Sequence, residues 1–178
     1  MNRTVVWIVG EPGAGKTTLA RALLGPSPYT LNPWPKWTIS GPLSAVGHYR
    51  GDVFDGGDTV PPGAIYPALD FAYTHLADSS TIILDGLKFA SKRAVETVRG
   101  WVDPPQVRCL LLECLPWSAE KRRLLRGPPQ SAAWIQGVRT RARNFFAENF
   151  SLEEKIRLKS DGHPEDIVEI VRPYLGIH

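Results

Sequence analysis

Cysteine is scarce in this chain, and long apolar runs are missing from it. The 178 residues include two cysteines, Cys109 and Cys114, which share one apolar run over residues 107–115. Their odd spacing in a predicted strand places them on opposite faces of the sheet, so we expect free thiols in a reducing compartment and no zinc site. Because no apolar run approaches the length of a membrane span and the polar start leads straight into a strand, we expect no membrane partner, no signal peptide and a cytoplasmic location.

A phosphate-binding pattern lies near the start of the chain. Residues 10–17 read GEPGAGKT and match G-x-x-x-x-G-K-[ST] at every fixed position. An apolar strand over 5–9 precedes this phosphate loop, and a helix over 18–24 follows it. Backbone N–H groups and the helix N-terminus attract phosphate, Lys16 reaches the β- and γ-phosphates, and the Thr17 hydroxyl ligates Mg²⁺. The predicted nucleotide-binding residues are Gly10, Gly13, Ala14, Gly15, Lys16, Thr17 and Thr18. We therefore predict that the chain binds ATP with Mg²⁺.

The order of predicted elements indicates a single α/β domain over residues 1–178. Strands are predicted at 5–9, 37–40, 45–49, 81–84, 107–115 and 155–159, and helices at 18–24, 65–76, 91–98, 118–125, 131–149 and 164–171. Residues 26–63 contain seven prolines, so that segment is predicted to be irregular. Strands that alternate with helices predict a mainly parallel sheet between two helical layers, the three-layer αβα arrangement of P-loop NTPases.

A second element of a nucleotide site is predicted at the end of the strand over 81–84. Asp85 follows that strand directly and would hold Mg²⁺ opposite Thr17, either directly or through water. Sheets of this kind bind ligands beyond the carboxyl ends of their strands, which is where both residues are predicted to lie. The alternative is that Asp85 is one of the many carboxylates that simply end core strands.

Motifs of other NTPase classes are missing. The chain has no [NT]-K-x-D motif for guanine, and it is too short for a motor ATPase core with its additional domain. A small kinase fits better. In such an enzyme the basic segment, residues 116–147, would act like a lid over the triphosphate, because it carries seven basic residues against one acidic residue. We expect Arg122 to bind nucleotide and Arg126 to assist catalysis. The alternative for each arginine is a solvated surface charge.

An acceptor site is predicted in the acceptor loop, residues 47–59, which contain three carboxylates, two aromatic residues and four glycines. A kinase that acts on an alcohol needs a carboxylate to orient the hydroxyl and accept its proton. Asp58 is the first candidate for this base and Asp55 the second, while Tyr49 and Phe54 are candidates to stack on a substrate base. The alternative is a surface loop whose aspartates cap turns.

Two further segments resemble a known family. The acceptor loop reads G-H-Y-R-G-x-x-F-x-G-x-D over residues 47–58, and the basic segment contains W-x-x-G-x-R-T-R over residues 134–141. Together with the phosphate loop they resemble phage-encoded P-loop kinases of thymine hypermodification, the 5-hydroxymethyluracil DNA kinases, within the nucleoside and nucleotide kinase superfamily. The resemblance spans most of the chain and contributes little over residues 150–178.

The resemblance implies ATP- and Mg²⁺-dependent phosphorylation of the 5-hydroxymethyl group of uracil in DNA, in the host cytoplasm if the chain is phage-encoded. Asp58 would activate the hydroxymethyl oxygen, and Arg139 and Arg141 would contact phosphates of the nucleotide or of the DNA. A base within a duplex would have to be flipped out or reached in opened DNA. Two alternatives remain open: a free nucleoside or nucleotide kinase, and an NTPase that nucleic acid stimulates. The residue after Asp85 is Gly86, whereas ordinary thymidylate and deoxynucleoside kinases have arginine there.

Overall fold

One seven-stranded sheet organises the protein. The computed structural model describes residues 3–32, 34–49, 55–76, 79–125 and 130–177. The strands are β1 (Thr4–Gly10), β2 (Tyr29–Leu31), β3 (Trp37–Ser40), β4 (Leu43–Val46), β5 (Thr81–Asp85), β6 (Gln106–Glu113) and β7 (Lys155–Lys159). Their order across the sheet is β2-β3-β4-β5-β1-β6-β7. All neighbouring pairs from β4 to β7 are parallel, and β2 and β3 extend the β4 edge with antiparallel pairing.

Helices cover both faces of this sheet. They are α1 (Lys16–Leu24), α2 (Ile65–His75), α3 (Lys92–Arg99), α4 (Pro116–Leu124), α5 (Ala132–Glu148) and α6 (Pro164–Tyr174). Side chains of α2, α3 and α5 belong to one core cluster, and those of α1 and α6 belong to the other. None of the helices in the described ranges is long and apolar enough to cross a membrane.

The central strand β1 explains how the two cores share one sheet. Every residue of β1 is buried, and alternate side chains point to opposite faces. Val5, Trp7 and Val9 belong to the cluster of α2, α3 and α5, while Val6 and Ile8 belong to the cluster of α1 and α6. A strand buried on both faces reads as a continuous apolar run, as this one does. The predicted α/β fold with a mainly parallel sheet is therefore confirmed.

Several element boundaries differ from the prediction for local reasons. β4 covers Leu43–Val46 instead of 45–49, since Gly47 turns the chain with a φ of 106°. β6 ends at Glu113, so Cys114 lies beyond the strand and not on its opposite face. α4 begins at Pro116, where proline is tolerated because its missing N–H has no partner in the first turn. Strand β2 was not predicted at all, because its three residues lie among prolines.

Candidate active site

The phosphate loop connects β1 to α1, and its glycines allow close packing. A Cβ at Gly13 would overlap the carbonyl oxygen of Ala119, and the φ of Gly13 is 86°. Gly15 has a φ of 85° and is the N-cap residue of α1, which begins at Lys16. In the described structure no side chain caps this helix N-terminus. The first N–H groups of α1 therefore lie at the loop, where a phosphate would be attracted by these donors and by the helix dipole. The Lys16 ammonium donates to the carbonyl oxygen of Glu11 at 3.0 Å.

Thr17 and Asp85 lie side by side at the end of this loop. The Thr17 hydroxyl donates to Oδ2 of Asp85 at 2.7 Å, and the Tyr49 hydroxyl approaches the same oxygen at 3.4 Å. Asp85 is 2% exposed. Burial raises the pKa of Asp85, while Lys16, the Thr17 hydroxyl and the Gly57 N–H oppose this rise, and Asp58 adds to it. The two predicted magnesium-binding side chains are thus brought together by the fold.

The donors at this point fit magnesium carried by a nucleotide. Among the described residues, no group of three or more His, Cys, Asp or Glu side chains could hold a metal alone. Mg²⁺ prefers six oxygen ligands and usually takes only one or two from protein, with phosphates and water supplying the others. The Thr17 hydroxyl and the Asp85 carboxylate are such a pair. They would hold the ion against the phosphates, and the ion would neutralise charge on the transferred group.

The described part of the acceptor loop packs directly on this pair. Residues Gly57–Thr59 form a 3₁₀ turn. A Cβ at Gly57 would overlap the Asp85 carbonyl oxygen, and one at Gly56 would crowd both Thr17 and the Asp85 carboxylate. Within the turn Asp58 is exposed, and its charge helps to raise the pKa of Asp85. The first candidate base is therefore solvent-accessible and near the carboxylate that is predicted to bind Mg²⁺.

Lys88 holds the 3₁₀ turn in place, a role that the sequence pattern does not predict. Its ammonium donates to the carbonyl oxygens of Gly57 at 3.4 Å, Asp58 at 3.2 Å and Val60 at 2.8 Å. Lys88 lies three residues after Asp85, so the segment that follows β5 also fixes the acceptor loop. The signal in the sequence is a basic residue shortly after β5, and such a residue is too common to be specific.

The other acceptor-loop candidates have different surroundings. Asp55 is buried and forms an ion pair with Arg21 of α1, which anchors the acceptor loop to the helix that follows the phosphate loop. Tyr49 is 3% exposed, and burial, followed by the charge of Asp85, raises its pKa well above the usual value. A ring enclosed in this way does not suit the predicted stacking on a substrate base, so Tyr49 is better described as a neighbour of Asp85. Phe54 lies outside the described residues.

Three arginines of the basic segment contact the phosphate loop. Arg139 donates through Nε and Nη2 to Oε2 of Glu11, at 3.2 and 2.7 Å. Arg123 donates to the carbonyl oxygen of Pro12 at 3.1 Å, and Arg122 donates to that of Gly13 at 3.2 Å. Arg122 also donates to the carbonyl oxygen of Ser160 at 2.8 Å.

Of the other two arginines that are predicted to act at phosphates, the structure describes Arg141 alone. Arg141 is exposed and lies two positions from Arg139 on α5, which turns it to a different side of the helix. We expected Arg139 and Arg141 to act together at phosphates. In the structure Arg139 contacts the phosphate loop, whereas Arg141 is exposed to solvent. Arg126 lies outside the described residues.

Comparisons with known proteins agree with this architecture. No protein-family model matches the chain, and no curated protein matches its sequence. A sugar kinase from a Janibacter species superposes with a TM-score of 0.54 at 19% identity, covering 99% of this chain and 96% of its own. The tunicamycin resistance protein of Deinococcus radiodurans gives a TM-score of 0.54 at 15% identity, covering 99% and 97%. At these identities the likeness establishes the fold, which is α/β with a mainly parallel sheet and has a kinase among its structural neighbours.

Proposed function

We propose that the chain is an ATP- and Mg²⁺-dependent phosphotransferase that acts on an alcohol. The observation that carries this proposal is the contact between the Thr17 hydroxyl and the buried Asp85 carboxylate, 2.7 Å apart at the start of the phosphate-binding helix. These two oxygen donors would hold a magnesium ion at the nucleotide phosphates, where the ion would neutralise negative charge. The exposed Asp58 beside them supplies a base for a hydroxyl acceptor.

Lys16 and Asp58 have complementary roles in the proposed reaction. The acceptor hydroxyl gives its proton to Asp58 as its oxygen attacks the γ-phosphorus. The bond from that phosphorus to the β,γ-bridging oxygen breaks, and ADP leaves with that oxygen and the bonding electron pair. The Lys16 ammonium, which donates to the Glu11 carbonyl oxygen within the loop, would neutralise negative charge on the phosphates. The magnesium ion bound at Thr17 and Asp85 would supply further charge neutralisation.

The acceptor that we propose is the 5-hydroxymethyl group of 5-hydroxymethyluracil in DNA. Support comes from the resemblance of residues 47–58 and 134–141 to kinases of that class. The exposed cation Arg141 and the partly exposed Trp134, both within the second of these segments, suit contact with a nucleic acid.

A free small molecule with a hydroxyl group, such as a nucleoside, nucleotide or sugar, is the second candidate acceptor. One observation favours it: Arg122, Arg123, Arg139 and Arg143 are engaged with oxygens of the protein itself. These internal contacts reduce the positive charge that the basic segment can offer to a DNA backbone. The similarity of the fold to a sugar kinase adds sugars to the acceptors worth testing.

A phosphate-transfer assay tests both levels of the proposal. The protein is incubated with Mg²⁺ and γ-labelled ATP together with hydroxymethyluracil DNA, ordinary DNA, free nucleosides, nucleotides or sugars. We expect label in hydroxymethyluracil DNA and none in ordinary DNA. Asp58→Asn serves as the inactive control, because it removes the base and keeps the size of the side chain.

Each other outcome changes a defined part of the proposal. Label in a free small molecule keeps the phosphotransferase and replaces the DNA acceptor. Release of inorganic phosphate that DNA stimulates, with no labelled acceptor, identifies a nucleic-acid-stimulated NTPase instead. If calorimetry with Mg²⁺ detects no binding of any triphosphate, the proposed function is wrong as a whole.

A further inference from the structure

Three successive residues of the phosphate loop are each held by a different arginine. Glu11 accepts through its side chain, and Pro12 and Gly13 accept through their carbonyl oxygens. We refer to Arg122, Arg123 and Arg139 as the loop-facing arginines. They come from α4 and α5, which follow β6 in the chain and lie far from the loop in sequence. Anchoring the loop's oxygens in this way helps to fix the loop's conformation before a phosphate arrives.

Glu11 differs from the other two acceptors because it is charged and nearly enclosed. Its side chain is 6% exposed, whereas the Arg139 side chain is 30% exposed. Arg123 lies 4.0 Å from the same carboxylate oxygen, so two guanidinium groups converge on it. A carboxylate with so little access to water is costly to bury unless its charge is paired, and these two arginines supply the pairing.

The contacts of Arg139 leave part of its guanidinium available. Glu11 uses Nε and Nη2, and Nη1 has no hydrogen-bond acceptor within the described part of the chain. A guanidinium carries five N–H groups in a rigid planar fork, so fixing one edge also fixes the direction of the other. A bound anion beside the loop would meet a donor whose orientation is already set, and binding would lose less side-chain entropy.

We propose that Glu11 is a positioning residue for triphosphate binding: its buried carboxylate fixes the Arg139 guanidinium at the phosphate loop and presents the remaining N–H groups to the phosphates. This inference rests on the proposed function, since it requires a triphosphate in the loop. It assigns Arg139 to the nucleotide and not to a DNA backbone. It also gives a function to the first variable residue of the phosphate-loop pattern.

A second ion pair on the same helix provides a matched control. Arg143 follows Arg139 by one helical turn on α5, and it contacts Oε1 of Glu113 at the end of β6 through Nε at 2.9 Å and through Nη2 at 2.8 Å. Arg143 is 54% exposed and Glu113 is 26% exposed, so this pair is closer to solvent than the pair of Glu11 and Arg139. Both pairs join α5 to the ends of the central strands, but only the Glu11 pair lies within the phosphate loop.

The test is a double-mutant cycle on nucleotide binding. Calorimetry measures the Kd for Mg²⁺-ATP of the intact chain and of Glu11→Gln, Arg139→Gln, the double variant and the control Glu113→Gln. We expect Glu11→Gln and Arg139→Gln each to raise the Kd about tenfold, since each breaks a charge-assisted hydrogen bond. The double variant should be no weaker than Arg139→Gln alone, because the two residues act as one unit. Glu113→Gln should leave the Kd unchanged.

Results that would contradict the role of Glu11 differ from the result that would contradict the proposed function. Tighter binding by Glu11→Gln would mean that the carboxylate competes with phosphate for Arg139, and an unchanged Kd would mean that the pair only joins α5 to the sheet; either result overturns the inference. If Glu11→Gln does not fold, Arg139→Lys decides, because lysine keeps the charge without the fork, and an unaltered Kd in that variant also overturns it. Absence of binding by the unaltered chain would instead contradict the proposed function.

Discussion

On the β5 side of the phosphate loop the functional side chains are carboxylates, whereas on the β6 side they are arginines. Asp85 is held by the Thr17 hydroxyl and by the backbone of the acceptor loop. The loop-facing arginines are held by Glu11 and by two loop carbonyl oxygens. This difference in charge matches the proposed ligand: the carboxylate side would face the Mg²⁺ ion, and the arginine side would face the triphosphate. Substitutions on each side should therefore have separable effects.

The largest effect is expected at Lys16, which donates to the Glu11 carbonyl oxygen and whose charge opposes the rise in the pKa of Asp85. Lys16→Ala removes a cation from the phosphates and should lower transfer by about 10³- to 10⁵-fold, the range for a cation that stabilises a transferred phosphoryl group. The fold should persist, since Lys16 is only partly buried. Label transfer and circular dichroism measure the two quantities. Lys92→Ala, at an exposed position on α3, is the control and should retain full activity. Substantial transfer by Lys16→Ala would contradict the site.

The second effect isolates the carboxylate side. Asp58→Asn removes the proposed base and should slow transfer by about 10²- to 10⁴-fold, with the Kd for Mg²⁺-ATP little changed. Asp55→Asn is the informative comparison, because Asp55 is buried against Arg21 and its loss should lower stability instead of removing the base. Steady-state kinetics and thermal unfolding of both variants distinguish the two roles. If Asp58→Asn altered ATP affinity alone, the base would have to be sought elsewhere.

The carboxylate side was also the more predictable one from sequence. The phosphate loop and Asp85 each follow a buried apolar strand, and the rules that place them need only neighbouring residues. Parallel strands carry both to the same edge of the sheet, as pairing of Ile8 with Asp85 shows. Local sequence patterns were therefore sufficient to predict that Thr17 and Asp85 lie close together.

The arginine side could not be predicted in the same way. Glu11 and Arg139 are 128 residues apart, and no local rule joins them. The excess of positive charge over residues 116–147 was visible, but which arginines face the loop depends on how α4 and α5 pack. The predicted stacking of Tyr49 on a substrate base differs from the structure for a related reason. Its position in the acceptor loop suggests an exposed ring, but the fold buries the ring beside Asp85.

A smaller effect is expected on the free energy of unfolding, because the charged form of Asp85 is buried before a metal binds. Because burial raises the pKa of Asp85, the folded chain keeps this proton to a higher pH than the unfolded chain does. The stability associated with the protonated group is therefore lost as pH rises through the raised pKa. Asp85→Asn should unfold about 2–4 °C higher at neutral pH without nucleotide, which corresponds to about 1 kcal/mol, although it should lose Mg²⁺-dependent transfer.

Thermal unfolding over a pH series checks this expectation. The difference in Tm between Asp85→Asn and the unaltered chain should shrink as pH falls, since protonation removes the cost that the substitution avoids. Thr17→Ser is a suitable companion, because it keeps the hydroxyl that donates to Asp85. An Asp85→Asn variant that is less stable at every pH would show that the contacts of the carboxylate outweigh its burial.

The smallest effect separates two arginines of one helix. If the chain binds DNA, Arg141→Gln should reduce the slope of log affinity against log salt concentration by about 0.7 for single strands or about 0.9 for duplex, the loss of one phosphate contact. Arg139→Gln should leave the slope unchanged, because Glu11 already holds that guanidinium. Fluorescence anisotropy over a salt series measures both slopes. An equal reduction of the slope by both substitutions would show that Arg139 leaves Glu11 and contacts the DNA. The arginine side of the phosphate loop would then bind DNA as well as the nucleotide.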